Sequence, residues 1–221
     1  MVTPKASGIA GDVTGLPGAP GMTESKPMSS VEVLSTGSAD IVFASASLAH
    51  NAALLARLTS IINAAYVYET GVFWSQDGWT RTNPDEVRTL VQGGKLALAW
   101  KCGTGHEEAT DLIGCVYVTM LDAKTGDFGM LVCDSEHQGA GIGRDLLRYA
   151  ETWAKSQGAD AMQLELLFPD GWDSPHKARL ARWYERLGYG MVRVEAIEQA
   201  LGRMAHLIAQ PAVVRIYQKP L

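Results

Sequence analysis

Met130-Leu-Val-Cys-Asp-Ser-Glu-His-Gln-Gly-Ala-Gly-Ile-Gly-Arg144 runs directly into Asp145-Leu-Leu-Arg-Tyr-Ala-Glu-Thr-Trp-Ala-Lys155. The opening apolar residues read as the end of a strand, and Asp134 to Gln138 as a short polar turn. Gly139, Gly141 and Gly143 make a glycine-rich loop. Ile142, Leu146, Tyr149, Ala150 and Trp153 then recur at helical spacing and predict an amphipathic helix that stops near Gly158. A glycine-rich loop opening a helix suits an anion. The first backbone N–H groups of a helix lack intrahelical partners, the macrodipole is positive there, and residues without bulk let a phosphate come close. A helix-capping turn needs one glycine, not three.

The spacing of the glycines excludes two phosphate loops. A P-loop requires Gly, four residues and Gly-Lys-Ser/Thr, a run the chain does not contain. A dinucleotide fingerprint requires GxGxxG. Counted from Gly139 its third glycine falls on Arg144, and counted from Gly141 on Leu146. What fits is Gln-x-x-Gly-x-Gly, as Gln138-Gly-Ala-Gly-Ile-Gly143. With its strand-turn preamble from Leu131, this resembles the GNAT superfamily of acyl-CoA-dependent N-acetyltransferases. Ala181-Arg-Trp-Tyr-Glu-Arg-Leu-Gly-Tyr189 resembles the second hallmark of that family, a Tyr four residues before a Gly-aromatic pair. The likeness in element order covers about residues 40–219.

The resemblance implies a set of roles. Backbone groups of Gln138, Gly139, Ala140, Gly141, Ile142, Gly143 and Arg144 would hold the CoA diphosphate. Those of Leu131, Val132 and Cys133 would meet pantetheine and the thioester carbonyl, so Cys133 is no nucleophile. Tyr184 would protonate the departing thiolate; a phenol near pKa 10 still holds its proton at neutral pH. Asp127 falls where some members carry a catalytic carboxylate and is the candidate general base, with Glu165 and Glu69 as rivals. Tyr66, Glu69, Trp74 and Glu165 are candidate acceptor contacts, alongside Tyr68 and Trp79. Each has a plainer alternative: a packed Tyr on an apolar helix stripe, a turn residue after Gly126, aromatics closing a lid. Acetyl-CoA is the implied co-substrate, and no metal is called for.

Working outward, Asp40 to Ala46 predicts a first strand, and Leu54, Leu58, Ile61, Ile62 and Ala65 a helix over about 48–66. Asn83-Pro-Asp-Glu86 starts a short helix ending at Gly93-Gly94. Strands are expected at 95–100, 112–121 and 127–133, joined by short turns and therefore antiparallel. A fifth, 161–168, is reached through a helix and therefore runs parallel to the fourth. A helix over about 176–187, a strand at 189–194, an amphipathic helix over 195–210 and a strand at 212–217 complete the order. The expected fold is α/β (α+β): a mixed, mostly antiparallel seven-stranded sheet flanked by helices and splayed between the fourth and fifth strands.

Residues 1–38 differ in kind. They hold six Gly, four Pro and six Ser, and the first aromatic residue is Phe43. Such a segment buries little apolar area against its ordering entropy and is expected as a tail before a domain over 39–221. The full chain of 221 residues is 47% hydrophobic with a net charge of −5. That balance speaks against nucleic-acid or anionic-membrane partners. No apolar run reaches the ~18 residues of a membrane span. Three cysteines without CxxC spacing, and no charged-then-apolar leader, suggest free thiols and a cytoplasmic location. The expected function is acetyl transfer from acetyl-CoA to a primary amine, more readily a small molecule than a protein, by direct transfer in a ternary complex. The alternatives are a catalytically silent acyl-CoA sensor and a non-enzymatic interaction module. Residues 195–210 offer a pocket or dimer element, which leaves a homodimer open.

Overall fold

The computed structural model describes residues 33–75 and 79–221. Of the tail expected over 1–38, residues 1–32 lie outside the described residues. The strands are β1 (Leu34–Ser35), β2 (Asp40–Phe43), β3 (Leu96–Trp100), β4 (Leu112–Met120), β5 (Thr125–Cys133), β6 (Ala161–Pro169), β7 (Gly190–Ala196) and β8 (Ala212–Pro220). The helices are α1 (Ala52–Tyr66), α2 (Pro84–Gln92), α3 (Ile142–Ser156), α4 (Pro175–Arg186) and α5 (Ile197–Leu201). All eight strands form one sheet in the order β1-β2-β3-β4-β5-β6-β8-β7. Every neighbouring pair is antiparallel except β5 and β6.

Helix starts follow side-chain chemistry. Asn51 accepts from the Leu54 N–H at 3.0 Å to cap α1, and a short 3₁₀ turn, Ala46–His50, precedes it. The helix expected over 48–66 is therefore two elements, parted by its own cap. Asn83 accepts from the Asp85 and Glu86 N–H groups, both at 3.0 Å, with Pro84 in the first turn of α2. Ser174 and Pro175 open α4 in the same manner. Helices α1 and α2 bury Leu54, Leu55, Leu58, Ile61, Ile62, Val87, Leu90 and Val91 against one face of the sheet. On the other face lie α3 with Leu146, Tyr149, Ala150 and Trp153, and α4 with Ala181 and Tyr184.

Three expectations are corrected. The sheet has eight strands, not seven, because Leu34 and Ser35, inside the expected tail, pair with Ile41 and Asp40. The single helix expected over 195–210 breaks at Gly202. That residue sits at φ 52° and ψ −122°, a conformation glycine tolerates, and a 3₁₀ turn, Gly202–Leu207, follows. The sixth expected strand, 189–194, is displaced to Gly190–Ala196.

The splay forms as expected, and its position is sharp. Pairing of β5 with β6 covers only Thr125 to Phe128 against Ala161 to Leu164. Beyond that point β6 keeps β8 as its neighbour, while β5 stays on β4. Two residues of β5 then oppose one of β4: Gly129 faces Tyr117 and Val132 faces Cys115. This is a β-bulge, with Met130 in the left-handed region at φ 45°. The extra residue reverses the alternation, so Phe128 and Leu131 meet the α3/α4 side while Met130 and Val132 meet α1.

Close packing across β4 and β5 leaves no room at Gly114. A Cβ there would stand 2.7 Å from the Val132 carbonyl oxygen and 3.3 Å from Leu146 Cδ1. Gly114→Ala should destabilise the fold by about 1–3 kcal/mol. A thermal melt should show this as a Tm lower by roughly 2–12 °C.

Candidate active site

Two cavities meet at the parted strands. The larger, about 630 Å³, runs along Leu131, Val132 and Cys133 to His137, Gln138, Gly139, Ala140, Gly141, Ile142, Gly143 and Arg144, with Leu180, Trp183 and Tyr184 opposite. Its far end is the glycine loop. Gly139 and Gly141 have φ of 85° and 92°, left-handed values natural to glycine, and they turn the chain so that Gly141 starts α3 without any side-chain cap. The preceding turn is held by Asp134, which accepts from the Glu136 N–H at 3.1 Å and pairs with Arg57. Ser38 donates to the Ala140 carbonyl at 2.9 Å, tying the entrance of β2 to the loop. The ten positions expected to hold the cofactor all line this groove.

The second cavity, about 270 Å³, shares Leu131, Val132, Cys133, Gln138, Leu180 and Tyr184 with the first and continues away from the loop. The acceptor candidates Tyr66, Glu69, Trp74 and Glu165 line it, as do Tyr68 and Trp79. Trp79 stacks on Trp74 with ring centroids 4.7 Å apart and planes 6° from parallel. Glu69, 4% exposed, is fully engaged. It accepts from Trp74 Nε1 at 3.0 Å and from the Tyr68 hydroxyl at 3.2 Å, and it pairs with the buried ammonium of Lys177. The His176 ring lies 3.7 Å from that of Tyr68. Burial, with Lys177 and Arg179 nearby, lowers the His176 pKa from 6.5 and favours the neutral imidazole at pH 7.

Tyr184 stands where the cavities join. It packs among Phe128, Trp183 and Tyr189, with ring centroids 5.9, 4.9 and 6.0 Å away. Burial raises its phenol pKa, so the hydroxyl keeps its proton. Tyr66 to Trp74, together with Trp79, and the helix α4 thus wall one space.

Asp127 does not reach that space. It lines neither cavity, is 0% exposed, and both its carboxylate oxygens lack hydrogen-bond partners. The cause is the position of the splay. Asp127 is still in register with Gln163, one residue before the strands part, whereas Glu165 is the first residue of β6 beyond the parting. Two cavity residues escaped the sequence reading. Lys177 lies seven residues before Tyr184, two helical turns along one face of α4, a spacing that marks it. Arg81 lies beyond the last aromatic of the lid, and nothing in its neighbours along the chain sets it apart.

The comparisons follow this geometry. Residues 105–190 match the family model described as the acetyltransferase (GNAT) domain. That span includes β4, the bulged β5, the loop, α3, β6 and α4. A crystal structure of an acetyltransferase from Streptococcus agalactiae is similar with a TM-score of 0.55 at 18% identity, over 84% of this chain and 100% of that one. A chain of the NatC complex, solved with Gag peptide and CoA, gives 0.54 at 18% over 82% and 98%. An aminoglycoside 6'-N-acetyltransferase complexed with CoA gives 0.54 at 16% over 81% and 96%. At these identities the likeness is one of fold. No curated protein sequence matches the chain.

Enclosure of Asp127 has a consequence for stability. Burial first, and the charge of Glu165 second, push its pKa well above 3.8. A carboxyl whose folded pKa is raised favours the folded state fully below its unfolded pKa and loses that contribution as pH rises through the folded value. The Tm of the protein should therefore fall between pH 4 and pH 8, and Asp127→Asn, which cannot ionise, should flatten that slope. Parallel slopes in melts of both proteins would show that Asp127 keeps its ordinary pKa.

Proposed function

We propose that this chain, whose residues 105–190 match the model of the acetyltransferase (GNAT) domain, moves an acetyl group from acetyl-CoA to the primary amine of a small molecule by direct transfer. The observation that carries this is the continuity of the two cavities through Leu131 to Cys133 and Tyr184. One groove ends on a helix N-terminus suited to a diphosphate; the other is an enclosed, aromatic, charged chamber. CoA-bound neighbours of the same fold support the cofactor side. The fold serves peptide and small-amine acceptors alike, as NatC and the aminoglycoside enzyme illustrate. Here the volume of about 270 Å³, at the low end for small-molecule sites, favours a compact amine.

Acetyl-CoA supplies an activated acyl group. In this scheme the N–H groups freed by the parting of β5 from β6 receive the thioester carbonyl oxygen and stabilise charge developing on it. Glu165, on the cavity wall, takes the proton of the incoming ammonium, directly or through water. The neutral amine attacks the carbonyl carbon, the C–S bond breaks, and Tyr184 gives its proton to the leaving sulfur. Glu69 is fully used in holding Lys177, Trp74 and Tyr68 and serves as a wall rather than a base.

Two variants test the halves of the site by release of CoA thiol and by calorimetry. At Gly143 a new Cβ meets nothing within 4 Å, and an acidic residue in a first helical turn is favourable. Gly143→Asp should fold normally yet set a carboxylate against the diphosphate and abolish CoA binding; retained micromolar affinity would contradict the loop assignment. Tyr184→Phe should lower kcat by about 100-fold or more with CoA affinity nearly unchanged; an unchanged kcat would return Tyr184 to the core.

A further inference from the structure

Arg81 is a buried cation on the wall of the acceptor cavity with guanidinium donors left to spare. It is 2% exposed, lines the cavity, and none of its Nε, Nη1 and Nη2 atoms has a hydrogen-bond partner. The face of Tyr66 lies 5.4 Å from the guanidinium carbon, and the positive charge acts on both Tyr66 and Glu86. Neither carboxylate nearby hydrogen-bonds to it. Glu69 holds Lys177, Tyr68 and Trp74. Glu86, buried behind, accepts from the Thr82 hydroxyl at 2.7 Å through Oε2, while its Oε1 is bonded to nothing. Burying a guanidinium without partners is costly, and proteins keep such groups where a ligand completes them.

The position is also fixed in advance. Thr82, next in the chain, is clamped to α1: its N–H donates to Asn63 Oδ1 and its carbonyl accepts from Asn63 Nδ2, each at 3.0 Å. The backbone carrying Arg81 is therefore set before any ligand arrives. A planar guanidinium with five donors matches a carboxylate two-pronged, far better than it matches a neutral amide or a cation.

We propose that the acceptor is an amino acid in the chemical sense, a primary amine that also bears a carboxylate, with Arg81 binding the carboxylate while the amine is presented at Tyr184. The inference rests on the acetyl-transfer reading above and narrows its substrate class. It also accounts for the cavity's mixed lining. Arg81 anchors the anionic end, the stacked Trp74 and Trp79 flank the body of the molecule, and Glu165 lies on the wall for the ammonium.

A matched series tests it on the full chain with acetyl-CoA: free α-, β- and γ-amino acids, their methyl esters, and the corresponding amines lacking the carboxyl group. Release of CoA thiol should give kcat/KM for at least one free acid about 10- to 100-fold above its ester and its decarboxylated amine. Arg81→Met should bring that acid-to-ester ratio close to one, and Arg81→Lys should restore part of it. In the ligand-free protein Arg81→Met should also raise Tm, since a buried charge is replaced by an apolar side chain; a marked fall would make Arg81 a structural residue and overturn the proposal. Equal rates for acids and esters in the unaltered protein would overturn it while leaving acetyl transfer intact. No thiol release from any amine would instead count against amine acetylation itself. In that case calorimetric binding of the free amino acids to the protein with CoA decides the anion site, and binding that is absent or unaffected by Arg81→Met overturns it.

Discussion

The separation of β5 from β6 after Phe128 and Leu164 is the constraint on which the rest depends. Two parallel strands that stayed paired would close their ladder and leave nothing for a ligand to bond. Here β6 has β8 on its other side along its whole length, and β5 has β4, so each strand leaves with a full partner and the sheet survives the gap. The extra residue at Met130 then turns Leu131 and Cys133 toward α3 and α4. Helix α3 begins at the end of β5 and α4 follows β6, so the loop and Tyr184 come to the two sides of one opening. Both cavities are consequences of a single break in pairing.

Much of this was legible in the chain because it is local. The loop, its helix and the preceding strand lie within residues 130–156, and glycine spacing separates the alternatives by counting. The element order was legible too, since caps at Asn83 and Ser174 and the periodicity of α1, α3 and α4 are short-range signals. Asp127 shows where counting fails. An offset measured back from Gln138 cannot see a bulge, nor at which residue two strands part, and those features decide that Glu165 and not Asp127 meets the cavity. Leu34–Ser35 was hidden for another reason: two residues amid glycine and serine carry no period, and only β2 makes them a strand. Arg81 was invisible because its meaning lies in what does not surround it in space.

The chamber holds two buried cations in different states: Lys177 is ion-paired, while the Arg81 nitrogens have no hydrogen-bond partner. The Lys177–Glu69 pair is buried, and both oxygens of Glu69 accept a hydrogen bond: Oε1 from Tyr68 beside Lys177, Oε2 from Trp74. Such a pair tolerates burial because it is complete; removing one member would leave the other stranded, at about 3–5 kcal/mol. The family match from 105 to 190 stops short of this machinery on one side: Lys177 and Tyr184 fall within it, while Tyr66 to Arg81 do not. The second cavity is thus lined by residues from inside and from outside the matched span.

That division reaches into how the molecule assembles. Glu69 and Lys177 are 108 residues apart in sequence. A loop of that length must close before the chamber has a second wall, and closure entropy is set against the contact until it forms. The cofactor loop can take its shape as soon as its own hairpin and helix exist. The chamber is a non-local feature of the fold. Any molecule lodged between the two walls therefore acts as a cross-brace, joining the early part of the chain to the late part.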